Sequence, residues 1–264
     1  MTALSARLSM ALLIAAPIAA PLAAQGVEYA AGTTKYRISS TTNGSQTSPM
    51  GNADFSVDLQ QQITVNLMKH AKDTVMATMT VDSIALKSSG PAPDVSKLKG
   101  ATIVSLMSPT GKFYSSKAPA GVDPQLAQVS DGVGRLLPSY RGNLAQGMTW
   151  ADTAIGKMTQ QGLEMDRTSV SSYKVNGDTT IAGEKAYRVN RVTTVKAAGS
   201  GTMQGAPVAM ETSGNSNGAF FITPKGVYLG GASQDDVILK ITILAQNVEI
   251  NIKQNSTTKV EAIK

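Results

Sequence analysis

Few residues in this chain belong to the types that do covalent or metal chemistry, and their spacing decides each case. The only histidine is His70, and there is no cysteine. A serine triad or a typical zinc site needs an imidazole held in a defended place. His70 lies between Lys69 and Ala71-Lys72-Asp73, where the flanking pattern reads as a hairpin tip and a histidine is a solvated surface residue. Gly214-Asn215-Ser216-Asn217-Gly218 matches G-x-S-x-G letter by letter. That motif works at a strand-to-helix elbow with a histidine later in the chain. Here it sits in a glycine-rich stretch and no histidine follows. Residues 171–174 and 256–259 fit S-x-x-K but lack the K-T-G partner. Asp235-Asp236 is too short an oxygen set for a calcium loop, and Gly199 and Gly201 precede no helix that would cradle a phosphate. The expectation is a non-enzymatic protein with no catalytic, cofactor-binding or metal-binding residues.

What remains is architecture, and it is organised around residues 54–86. Phe55, Val57, Leu59, Ile63, Val65 and Leu67 share one parity, and Ser56, Asp58, Gln60, Gln62, Thr64 and Asn66 the other. Val75, Ala77, Met79 and Val81 resume the alternation. A period of two marks a strand with one buried and one wet face. Residues 54–67 would span roughly 45 Å at 3.4 Å per residue, a length that suits an open, coiled sheet. Like parities face each other if Leu67 opposes Val75 and Val65 opposes Ala77, which leaves His70-Ala71-Lys72 as the loop. Gln61 interrupts the apolar row. Ile84 and Leu86 fall out of phase with Val81, so a bulge is expected near Asp82-Ser83.

Strands are expected at 27–42, 101–107, 168–175, 179–195, 237–244, 247–253 and 257–263. Turns are expected at Ser108-Pro109-Thr110-Gly111, Asn176-Gly177-Asp178 and Thr223-Pro224-Lys225-Gly226. The connection 88–99 has room for one helical turn. Residues 43–52 and the glycine-rich 197–218 read as loops, the latter mobile, with Pro207 confining any strand there to an edge. One helix is expected at 123–140, capped by Asp123 and Pro124. Leu126, Val129, Val133, Leu136, Leu137 and Tyr140 form its apolar stripe. These six are the candidate contacts to the core or, if the helix is a lid, to an apolar ligand. The lone Trp150 is expected to anchor the join between two β halves. The two Pro-Gly turns, each before an aromatic or apolar pair, echo each other, and Tyr36-Arg37-Ile38 echoes Tyr187-Arg188-Val189. The fold class is therefore mainly β: a large curved antiparallel sheet, half-barrel-like, of two related halves (about 25–120 and 147–264), with one amphipathic helix packed on it.

Residues 1–24 read as a signal peptide, with Arg7 as the only charge and an alanine-rich apolar run broken by Pro17 and Pro21. Cleavage after Ala24 would lower the formal charge from +6 by one and leave 25–264 as a single β-rich domain. No cysteine stands near the cleavage point, so the product is not a lipoprotein, and no later segment is apolar enough for a transmembrane anchor. Export to the periplasm or the extracellular space follows. The basic residues are scattered and aromatics make up 5% of the chain, which is not the clustered stripe of a nucleic-acid reader.

Tyr36, the long hairpin 55–81, Gly111 to Tyr114, Leu137-Pro138, Gly147 to Trp150 and Gly226 to Tyr228 together resemble an uncharacterised family of exported bacterial β proteins. The layout is also similar to lipoprotein-carrier half-barrels of the LolA and LppX type, in which a curved sheet shelters acyl chains. That resemblance implies a lipid or another apolar small molecule in the hollow of the sheet, although this chain has one clear helix where the carriers have several. The other expectation is a structural or protein-interaction component of the cell envelope, with an envelope protein as partner.

Overall fold

The computed structural model describes residues 26–49, 51–90, 94–117, 136–160, 163–203 and 205–263. Alternation of apolar and polar residues makes most of them strand. In chain order these are β1 (Gly32–Ser48), β2 (Gly51–Ala71), β3 (Thr74–Ser88), β4 (Thr102–Met107), β5 (Phe113–Lys117), β6 (Thr149–Gln160), β7 (Leu163–Ile181), β8 (Glu184–Met203), β9 (Ala206–Ile222), β10 (Tyr228–Ile243) and β11 (Val248–Ile263). They form one antiparallel sheet in the order β5-β4-β3-β2-β1-β11-β10-β9-β8-β7-β6. The first and last of these strands therefore pair at its centre, Ile38 opposite Val260. Among the described residues β5 and β6 are its two edges, and the sheet is open.

Residues directly opposed on antiparallel strands share a face. The row Val81, Ile63, Tyr36 and Ala262 defines the core-bearing face, and Val260, Gly231, Phe220, Val189 and Val175 continue it across the second half. Ile63, Met79, Ile103, Val175, Val189, Phe220 and Ile222 belong to one buried cluster. Side chains from both flanks meet there, so the sheet curves around it. Each fully buried aliphatic in that cluster contributes about 1.5–3 kcal/mol. A second cluster on the same face, at the far end of the strands, joins Leu163, Met165, Ala197, Val208, Met210, Leu239 and Ile241.

The first cluster is closed by irregular segments knotted together through their backbones. The two Pro-Gly turns have the same geometry: Gly111 N–H donates to the Ser108 carbonyl and Gly226 N–H to that of Thr223, both at 2.9 Å. The N-terminal segment runs between them, Tyr29 N–H donating to the Pro109 carbonyl at 2.7 Å and Ala30 N–H to that of Gly226 at 3.1 Å. Residues 136–148 lie against the same turns, with Tyr140 N–H on the Thr110 carbonyl at 2.9 Å. Trp150 is buried in this cluster and stacks on Tyr173, with ring centroids 4.7 Å apart and planes 7° apart.

Several expectations hold. The bulge falls at Asp82, since Gln62 opposes Ser83 while Ile63 opposes Val81. The connection after β3 contains one 3-10 turn, Val95–Leu98, capped by the Asp94 carboxylate on Ser96 N–H at 3.0 Å. Others need correction. The β2–β3 register lies two residues from the expected one, with Leu67 opposite Ala77 and Val65 opposite Met79. A second irregularity between Lys69 and Ala71 takes up the extra residue, so the turn tightens to Lys72-Asp73 and the parity survives. Residues 43–52 and 197–218 are mostly strand, in β1, β2, β8 and β9. Gly51 and Gly205 have positive φ and open space at the turns, but two others lie where a Cβ would press on a neighbouring strand: Gly199 on the Glu164 carbonyl and Gly218 on that of Ala232. Gly199 and Gly218 permit close strand approach and do not mark a loop. Pro207 stands at the start of interior β9 and not at a sheet edge. Asn176-Gly177-Asp178 is a bulge inside β7, and the turn falls at Ala182-Gly183, both with positive φ. The C-terminal region has two long strands instead of three short ones.

The single amphipathic helix is not borne out. Residues 123–135 lie outside the described residues, and 136–140 are not helical. Pro138 has no N–H to give and disfavours helix at Leu137. Its carbonyl accepts from the Tyr29 hydroxyl instead of a helical N–H.

Candidate functional site

Along the core-bearing face, between the two apolar clusters, the side chains become small and polar. Ser40 and Thr258 exchange a hydroxyl hydrogen bond at 3.0 Å, Thr42 and Ser256 at 2.7 Å, and Ser171 and Thr193 at 2.8 Å. Following the registers, Thr42, Ser256, Asp235, Ser216, Thr193 and Ser171 form one transverse row. The adjacent row toward the first cluster runs Ser40, Thr258, Ser233, Gly218, Arg191 and Tyr173. These positions are half-buried, apart from buried Tyr173, while the opposite face of the same strands is exposed and rich in Thr, Asn and Lys.

A cavity of about 900 Å³ crosses six neighbouring strands, β2, β1, β11, β10, β9 and β8. Its lining is three successive rows of the ladder. The middle row is Phe55, Gly44, Gln254, Val237, Gly214 and Val195, each directly opposite the next and all on the core-bearing face. The Phe55 ring covers Gly44 so closely that a Cβ there would overlap it. The flanking rows, with Asn43, Asn255 and Asp236 on one side and Lys253 and Lys196 on the other, border the cavity along the strands, while their side chains alternate to the exposed outer face. This volume lies within the usual range for small-molecule sites.

The motifs singled out for chemistry are taken apart by strand geometry. In S-x-x-K the two residues are three apart, and a strand sends such positions to opposite faces. Ser171 and Ser256 lie on the core-bearing face, and Lys174 and Lys259 on the other. Asp235 and Asp236 separate in the same way: Asp235 accepts from the Ser233 hydroxyl at 3.3 Å, and Asp236 from the Asn255 amide at 2.6 Å. The G-x-S-x-G match is the small-residue face of β9, with Ser216 opposite Asp235 and Thr193. His70 is exposed at the hairpin end of β2. No group of three or more His, Cys, Asp or Glu fit to hold a metal occurs among the described residues.

Of the six candidate contact residues, Leu126, Val129 and Val133 lie outside the described residues. Leu137 and Tyr140 are buried in the first cluster, and Leu136 packs partly buried against it. None of these three lines the cavity. Burial pushes the Tyr140 hydroxyl well above the ordinary tyrosine range, with Glu28 adding to the push. The cavity row was out of reach of sequence reasoning, because it joins six strands through registers that only the folded sheet defines. The one signal was Gly214 and Gly218 with Ser216 between them at period two, which leaves one face of β9 nearly bare.

No protein-family model and no curated protein matches this sequence. A crystal structure of a domain assigned to outer membrane lipoprotein sorting in Vibrio parahaemolyticus aligns over 87% of this chain and 83% of its own, at 9% identity and a TM-score of 0.18. A likeness at that score carries no argument, and the functional reading rests on the geometry. No described helix is long and apolar enough to cross a membrane.

Proposed function

We propose that this chain is a non-enzymatic binding protein of the cell envelope that holds an elongated amphiphile, a lipid or similar apolar molecule, against the hollow of its sheet. The observation that supports the reading best is the cavity of about 900 Å³ across six strands. Its middle row offers Phe55, Val195 and Val237 as apolar contacts, with Gly44 and Gly214 leaving room between them. The adjacent hydroxyl rows favour a ligand with a polar part as well as an apolar one. An unbranched hydrocarbon alone would leave those hydroxyls facing it without hydrogen-bond partners beyond one another. Export, as residues 1–24 imply, would place the protein where such molecules are handled. Native mass spectrometry of the mature protein from its own envelope fraction, followed by solvent extraction, tests this. A stoichiometric amphiphile supports the reading. A clean apo mass with no uptake of added fatty acids or phospholipids would overturn it.

A second reading, a protein-interaction component of the envelope, draws on β6. This edge strand is exposed on both faces over 151–157, and Ile155 is 82% accessible. Val170 and Val192 continue an exposed apolar diagonal from it on the outer face of β7 and β8. Because the chain lacks cysteine, Ile155→Cys introduces a unique label. Protection of that label in intact envelopes, and free reactivity in purified protein, would favour this reading.

A further inference from the structure

Arg191 on β8 is half-buried on the core-bearing face. Among the described residues, no carboxylate lies within ion-pair distance of it. The nearest acidic positions on that face are Asp152, exposed on edge strand β6 and opposite Ser171, and Asp235, opposite Ser216 and engaged by the Ser233 hydroxyl. A guanidinium partly withdrawn from water without a counter-charge is costly, so its presence needs a reason.

Its setting supplies one. Directly across β9 stands Gly218, which has no side chain to cover it, and directly across β7 stands Tyr173. One step along its own strand toward the sheet centre is Thr193, which shares a hydroxyl hydrogen bond with Ser171, and Ser216 is diagonal to Arg191 across β9. In the other direction is Val189, fully buried in the first cluster. Burial raises the Tyr173 and Tyr228 hydroxyls above their ordinary range and the Arg191 charge draws both back, so the guanidinium is within electrostatic reach of both rings. Arg191 therefore stands at the border between packed core and hydroxyl rows, with hydroxyl donors on its open side. The cavity row begins four residues along the same strand, at Val195, roughly 14 Å away at about 3.4 Å per residue.

We propose that Arg191, with Thr193 and Ser216, binds the oxyanion headgroup, a carboxylate or a phosphate, of an amphiphile whose tail runs along β8 and β9 into the cavity at Val195 and Val237. The assignment rests on the amphiphile-binding reading and adds the charge of the ligand to it. Arginine suits the role because its planar fork holds a carboxylate or phosphate through two parallel hydrogen bonds. The hydroxyls serve as further donors, each able to turn its proton toward the anion.

The test uses the mature protein, its Arg191→Met and Arg191→Lys variants, and three ligands with the same twelve-carbon tail: dodecanoate, dodecanol and lauroyl lysophosphatidate. Binding is read by titration calorimetry at low salt, with circular dichroism confirming that each variant is folded. The expected result is that Arg191→Met binds the anionic ligands at least tenfold more weakly, Arg191→Lys regains part of the loss, and dodecanol is unaffected. Loss of only the carboxylate ligand would identify the source as a fatty acid, and loss of only the phosphate ligand would identify a phospholipid. Equal affinity of wild type and Arg191→Met for both anions would overturn the anchor while leaving the hollow as a binding site. Equal weakening of the anions and dodecanol would overturn it too, since the side chain would then act through packing. Failure of the wild type to bind any of the three would overturn the anchor together with the reading beneath it.

Discussion

The Tyr29 hydroxyl donates to the Pro138 carbonyl at 2.8 Å, across 109 residues of chain and inside the core. This bond ties the N-terminal segment to the stretch that returns from edge strand β5 toward β6. The Tyr29 ring also meets Tyr140 edge-on, with centroids 5.1 Å apart. The Pro138 carbonyl is where the N-terminal segment, a Pro-Gly turn and the returning segment converge, because a Cβ on Gly111 would also press on it. Tyr29→Phe keeps the ring and removes the donor. A buried carbonyl left without its partner costs about 1–3 kcal/mol, so the urea midpoint should fall at unchanged slope. An unchanged midpoint would show that the bond closes nothing.

The buried tyrosines also fix an alkaline limit. Burial raises Tyr29, Tyr36, Tyr140 and Tyr228 well above the ordinary value of 10.0. Below that value both folded and unfolded chains keep these protons, and the contribution to stability is full. Above it the unfolded chain loses protons that the folded chain still holds, so stability falls with rising pH. Urea midpoints measured from pH 8 to 11.5 should be flat to about 10 and then decline. Tyr36→Phe with Tyr228→Phe should flatten the decline. Their loss of the hydrogen bond from the Tyr36 hydroxyl to the Tyr228 carbonyl, 3.0 Å, should appear as an offset at every pH.

Two glycines with nearly equal backbone angles should separate strain from collision. Gly226 has φ +80° and Gly183 φ +83°. A Cβ on Gly226 would overlap the Glu28 carbonyl, whereas around Gly183 the space is open. Gly183→Ala should cost only the left-handed penalty of roughly 1–2 kcal/mol. Gly226→Ala should cost clearly more, because the N-terminal segment must also leave its place between the two turns. Equal midpoints for the two variants would refute the clamped arrangement.

How far the sequence could be read depended on whether the information was local. The parity of β2 and β3, the bulge at Asp82 and both Pro-Gly turns are local signals, and each survives in the fold. The β2–β3 register moved by two because the irregularity near His70 tightens the turn to Lys72-Asp73, and unlike the bulge at Asp82 it leaves no trace in the apolar phase. Gly199, Gly201, Gly214 and Gly218 misled for a different reason. Glycine is a loop signal when the backbone must turn and a strand signal when a neighbouring backbone must come close, and composition does not distinguish the two. The cavity row and the setting of Arg191 depend on which residues of six strands stand opposite one another, which no single stretch encodes.

Asp82 gives a direct check on that phase argument. Its carboxylate accepts from the Thr64 hydroxyl at 2.6 Å, and the extra residue turns Ile84 and Leu86 onto the core-bearing face. There they pack against Val95 and Leu98 of the 3-10 turn. Deleting Asp82 would restore a plain ladder and send both side chains to the outer face. Hydrogen exchange should then show the turn at Val95–Leu98 and the end of β3 losing protection, while β7 to β11 remain protected. Unaltered exchange at Leu98 would mean that the bulge does not set the phase.

Filling the cavity should abolish binding without loosening the fold. Val237 lies in the middle row between Gln254 and Gly214, on interior strand β10, and is only half-buried. Val237→Trp therefore adds volume into open space and displaces no packed neighbour of the two clusters, so stability should change by well under the 1–3 kcal/mol typical of an overpacked core. The new indole would occupy the region between Val195 and Phe55 where an apolar tail is proposed to lie. Uptake of dodecanoate and dodecanol should fall together, since the tail is common to both. In Arg191→Met, by contrast, the two should diverge. Retained uptake of both ligands by a folded Val237→Trp variant would place the bound tail elsewhere on the sheet.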